Sequence, residues 1–134
     1  MGALTEFLYP APARRTAGSI IAWWEKRRLA YNVFVGSAGV ASVGIASLFA
    51  LLPPGGGLDF PPLVVFLVFG VMANVCYLLG PATELLIERL FGGKVLPTGP
   101  ALYRMGLTFS VGLALFPALI TAILWVARVV FAIL

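Results

Sequence analysis

The chain has 134 residues, of which 61% are hydrophobic and only 10% charged, and its mean hydropathy is +1.05, whereas a soluble domain is about half apolar and about a quarter charged. Nine basic and five acidic side chains are too few to cover a water-facing surface, which argues against a soluble domain and for an all-α membrane protein. The net charge of +4 does not point to nucleic acid, because the basic residues flank apolar runs and are not spread over a solvated face.

The first 28 residues read as a cytoplasmic segment that ends in a juxtamembrane helix. Within it, "WWEKRRLAYN" places Trp23 and Trp24 beside Lys26, Arg27 and Arg28. Amphipathic rings favour the headgroup level, and lysine and arginine meet anionic phosphates there, so these five are expected to be membrane-interface anchors on an anionic inner leaflet. From Leu29 to Leu52 no residue is charged, and about 24 such residues cross a hydrocarbon core of roughly 30 Å. This stretch, 29–52, is the expected first span.

Pro53, Pro54 and Gly55-Gly56-Gly57 stop it and form a turn that carries only Asp59. The second span is expected over 61–80. Pro81 interrupts it, and over 82–91 Glu84 and Glu88 share one helical face while leucines cover much of the rest, which predicts a separate interfacial helix closed by Gly92-Gly93. Pro97, Gly99 and Pro100 then break the chain ahead of a third span over 101–134. That span would be roughly 51 Å long as one helix, so a tilt or a kink near Pro117 is expected to absorb the excess. All 134 residues form one membrane domain on this reading.

Orientation follows from lysine and arginine, which are retained in cytoplasmic loops. Arg14, Arg15, Lys26, Arg27 and Arg28 precede the first span, and Arg89, Lys94 and Arg104 lie between the second and third. The amino terminus is therefore expected inside and the carboxyl terminus outside. Counting depth at about 1.5 Å per residue brings Tyr31, Asn32, Asn74, Tyr77, Glu84 and Arg104 to one level. These six are expected to form an interhelical polar cluster, because unpaired polar groups are costly in hydrocarbon. Close helix packing in lipid relies on small residues, and Gly106, Ser110, Ala114, Ala118 and Ala122 recur at every fourth position as a packing groove. Whether it receives another helix of the chain or a second copy is open at this stage.

Signatures of chemistry are missing from the sequence. It has no histidine, one cysteine (Cys76, in an apolar run), no P-loop and no G-x-S-x-G elbow. No catalytic residue, cofactor or metal site is expected, and the leading expectation is a non-enzymatic structural or accessory subunit that binds itself or another membrane protein. The alternative is a small homo-oligomeric transporter or channel in which Glu84 titrates. The runs "WWEKRRLAYNVFVG", "MANVCYLLGPATELL" and "GLTFSVGLALFPAL" resemble a group of small bacterial multi-spanning membrane proteins with no assigned activity. The resemblance implies a bacterial inner membrane and carries over no site residues.

Overall fold

The structure, a computed structural model, describes residues 15–54, 63–92 and 98–134. These form three α-helices, α1 (Ala17–Leu51), α2 (Leu63–Phe91) and α3 (Gly99–Ile133), each long and apolar enough to cross a membrane. The Gly55-Gly56-Gly57 turn, Asp59, Pro61-Pro62 and Lys94 lie outside the described residues.

Two expected elements are not separate. The juxtamembrane helix is the start of α1, which runs unbroken from Ala17. Its buried side chains Ile20, Trp24, Arg27, Tyr31, Val35, Ala38 and Ser42 recur at intervals of three and four, one stripe that passes through Leu29 without a break. Thr16 starts the helix by accepting the Ser19 N–H at 3.2 Å on its hydroxyl, satisfying one of the free amides of the first turn. The interfacial helix expected over 82–91 is likewise the last part of α2, which continues through Pro81. Proline lacks an N–H and cannot bond the Tyr77 carbonyl four residues back, yet neighbouring helices and hydroxyl back-bonds can support such an interruption in a span. The Thr83 hydroxyl donates to the Leu79 carbonyl at 2.6 Å. The helix ends where Gly92, at φ +58°, donates its N–H to the Glu88 carbonyl at 2.9 Å, a left-handed stop that glycine adopts without strain.

The third helix starts two residues earlier than expected. Gly99 and Pro100 form its first turn, where proline's missing N–H has no helical acceptor to lose. It then runs unbroken past Pro117 to Ile133, and the Thr121 hydroxyl back-bonds to the Pro117 carbonyl at 2.8 Å.

Contacts fix the arrangement. Trp23 with Tyr103, Tyr31 with Ser110, Ser42 with Ala118 and Phe49 with Trp125 rise together along both chains, so α1 and α3 are parallel and meet over most of their length. Trp24 with Glu84 and Asn32 with Asn74 run in opposite senses, so α2 is antiparallel to α1. Among the described residues, hydrogen bonds and ring contacts join α2 to α1 between Ala73 and Glu84. Nearer its start, Phe66 is 40% exposed and a Cβ on Gly70 would meet no atom within 4 Å. The helices thus share a tight end, which carries Arg15, Lys26, Arg27, Arg28, Arg89 and Arg104, while toward its start α2 exposes Val64, Phe66, Leu67 and Val68.

Candidate functional site

The densest chemistry lies at the basic end, where all three helices meet around Trp24 and Glu84. Trp24 is 2% exposed. Its indole N–H donates to Oε2 of Glu84 at 2.6 Å, and Arg15, just ahead of α1, pairs with Oε1 of the same carboxylate. Glu84 is itself 5% exposed. A buried carboxylate is costly unless both oxygens are satisfied, and here one side-chain donor from the buried stripe of α1 and one cation from the segment before it meet that need.

Two glycines make room for this junction. A Cβ on Gly80 would lie 2.3 Å from Cη2 of Trp24, so only glycine lets the indole lie flat against α2. A Cβ on Gly99 would lie 2.6 Å from Oε2 of Glu84, so the first residue of α3 lies directly on the carboxylate. This places the acid at a helix N-terminus, where the macrodipole favours negative charge.

Two turns deeper, aromatic and hydroxyl groups continue the joint. Tyr77 donates to the Trp24 carbonyl at 2.5 Å, with its ring edge-on to Trp24 at 5.5 Å between centroids. The Tyr31 hydroxyl is 3.1 Å from the Ala73 carbonyl and 2.7 Å from the Ser110 hydroxyl, so a single phenol on α1 contacts both other helices. Asn74 donates to Oδ1 of Asn32 at 3.1 Å and to the Gly70 carbonyl at 3.0 Å, on the outer side of α1 and α2.

Of the six residues expected to cluster, the structure therefore brings Tyr31 together with Tyr77, their rings 4.6 Å apart, pairs Asn32 with Asn74 beside them, and seats Glu84 above. Arg104 lies exposed on α3, and the ion-pair partner of Glu84 is Arg15. Arg15, Trp24 and Ser110 are the members that depth counting missed. Trp24 and Ser110 had a signal, since both lie on the three-and-four stripes of their helices; Arg15 precedes any periodic segment and had none.

The expected interface anchors divide. Lys26 is exposed and Arg28 half-buried, paired with Glu25 at 2.6 Å. Trp24 and Arg27 instead face the bundle. Arg27 is 7% exposed, lies 3.7 Å over the Trp23 ring and donates to the Trp23 carbonyl at 3.0 Å, a desolvated cation held by an aromatic face. Trp23 is half-buried and edge-on to Tyr103, with centroids 6.3 Å apart.

The small-residue groove also has its answer. Ser110, Ala114 and Ala118 are buried, Ala122 is half-buried, and Gly106 is exposed with nothing near its Cβ position. Opposite them on α1, Ala38 and Ser42 are buried too. The Ser42 hydroxyl accepts the Ala118 N–H at 3.2 Å, an approach that only small side chains permit. The groove thus receives α1 of the same chain.

Among the described residues no group of histidine, cysteine, aspartate and glutamate is arranged to hold a metal ion. The chain matches no protein-family model, no curated protein and no solved structure.

Proposed function

We propose that the chain is an integral protein of a bacterial inner membrane, amino terminus in the cytoplasm and carboxyl terminus outside, that acts without catalysis as a structural or accessory subunit. Three apolar helices are compatible with membrane insertion, and the resemblance of the three sequence runs supports the bacterial setting. The observation that carries the subunit role is how the polar side chains in the helices are used: Glu84, Trp24, Tyr77, Tyr31 and Ser110 bond one another or the backbone across helices. They hold the bundle together. Because the Ser110 to Ala118 groove is filled from within, a partner meets one of the remaining lipid-facing surfaces. Extraction of the tagged protein into lipid nanodiscs is expected to yield a particle containing more than one polypeptide at fixed stoichiometry. A particle holding one copy alone would overturn the subunit role.

A second reading, a homo-oligomeric transporter or channel, is favoured by one feature: Glu84 is a carboxylate buried where all three helices meet. It requires pH-dependent flux in liposomes that is lost in Glu84→Gln, with the bundle still folded.

A further inference from the structure

We infer that the outer face of α1 and α2 around Asn32 and Asn74 is a docking surface for a second copy of this chain. The inference deepens the subunit reading and rests on it, naming the partner and the face.

The two asparagines hold unspent hydrogen-bonding capacity. Asn74 uses both amide hydrogens, on Asn32 Oδ1 and the Gly70 carbonyl. That leaves the Asn32 amide hydrogens and the Asn74 side-chain oxygen without a partner among the described residues, and Asn32 is exposed with the apolar Leu29 and Val33 exposed beside it. Exchanging the amide nitrogen and oxygen in either residue changes which side chain holds the spare donor but still leaves polar capacity unfilled. Lipid tails offer neither donor nor acceptor.

A two-fold axis along the membrane normal supplies both. Two copies inserted with the same orientation bring identical residues to one depth, so the spare donor of one copy meets the spare acceptor of its mate, and the reverse. The neighbourhood carries no unbalanced charge that would repel a like copy. One and two turns toward the basic end, Arg28 and Glu25 lie on the same side of α1 as Asn32 and are partly exposed. They pair with each other at 2.6 Å within the chain, so two copies approach there as neutral ion pairs and not as like charges. In the other direction Gly36 and Gly39 have nothing within 4 Å of a Cβ, so a second backbone can come close enough for the amides to reach. A single polar asparagine in an apolar helix seam is a known device for fixing register and partner number.

The test is oxidative cross-linking in native membranes together with energy transfer between labelled copies in liposomes. In a Cys76→Ser background, Gly36→Cys is expected to trap a species of twice the chain mass, while Met105→Cys, exposed on α3, does not. Asn32→Leu is expected to weaken self-association by about five- to tenfold through loss of the two symmetry-related bonds, and Asn32→Gln to restore part of it. A melting midpoint for each variant shows that the monomer fold persists. Equal cross-linking from both cysteines, an adduct of Gly36→Cys with an unlike polypeptide, or dimers indifferent to Asn32→Leu overturn the inference and leave the subunit reading intact. A chain that stays single at every protein-to-lipid ratio and in native nanodiscs overturns both.

Discussion

Trp24 connects more of the structure than any other residue described, since its N–H meets Glu84, its carbonyl meets Tyr77, and its six-membered ring fills the space left by Gly80. Phenylalanine at this position keeps the backbone bond and part of the ring packing but leaves Glu84 Oε2 buried with no indole donor, and an unsatisfied buried acceptor costs about 1–3 kcal/mol. Gly80→Ala acts from the other side by driving a methyl into Cη2 and Cζ3, an overpacking that also costs about 1–3 kcal/mol. The two changes share one cause, because phenylalanine lacks the outer atoms that the new methyl would strike. Thermal melts in detergent are expected to show each single variant destabilised and the Trp24→Phe, Gly80→Ala pair less destabilised than the sum of the two. Strict additivity would mean that the ring and Gly80 do not oppose each other, and the close packing described here would be wrong.

At the level of helices, α1 and α3 stand as a parallel pair, with the small side chains of Ala38, Ser42, Ala114 and Ala118 all buried and the Ser42 hydroxyl bonded to the Ala118 N–H. A leucine in that seam has nowhere to go, so Ala118→Leu is expected to separate the pair and lower the melting midpoint by the equivalent of about 1–3 kcal/mol. Gly106→Leu, on the same sequence repeat but at an open position, is expected to change it by less than about 0.5 kcal/mol; equal losses would show that the repeat and not the α1 contact matters. The comparison also shows what the sequence makes legible. Apolar run length gave three helices, since backbone in hydrocarbon must bond itself and a run of that length has one solution. Boundaries are less legible, because charge marks where water begins and not where a helix stops: α1 begins twelve residues before Leu29, where the charge-free run starts, and α2 continues past Pro81. Depth counting found the levels of Tyr31, Asn32, Asn74 and Tyr77 but not their directions, and it had no means to bring in Arg15, which reaches Glu84 from 69 positions away in sequence.

For the whole molecule, the parallel and antiparallel runs collect the basic side chains at one end. The start of α1 brings Arg15, Lys26, Arg27 and Arg28, the finish of α2 brings Arg89, and the start of α3 brings Arg104, whereas the far end of the described helices carries Arg128 alone. Loops bearing lysine and arginine resist translocation, so the proposed orientation keeps this end in the cytoplasm. Arg27 lies against Trp23, Arg15 against Glu84 and Arg28 against Glu25, so part of this charge is already committed within the chain, while Lys26 and Arg104 are exposed at the same end. A phosphatase that works only outside the cytoplasm, fused after Leu134, is expected to be active, and a fluorescent protein that folds only in the cytoplasm, fused at the same place, to be dark. Placing three lysines in the loop between α1 and α2 opposes the bias from the other side and is expected to yield a mixed population with both reporters partly active. If the phosphatase fusion is silent in the unmodified chain, the basic end faces outward and the assignment of an anionic inner leaflet to Lys26 and Arg28 fails, while the contacts among Trp24, Glu84 and Tyr31 are untouched, because they depend on the bundle and not on which side of the membrane it presents.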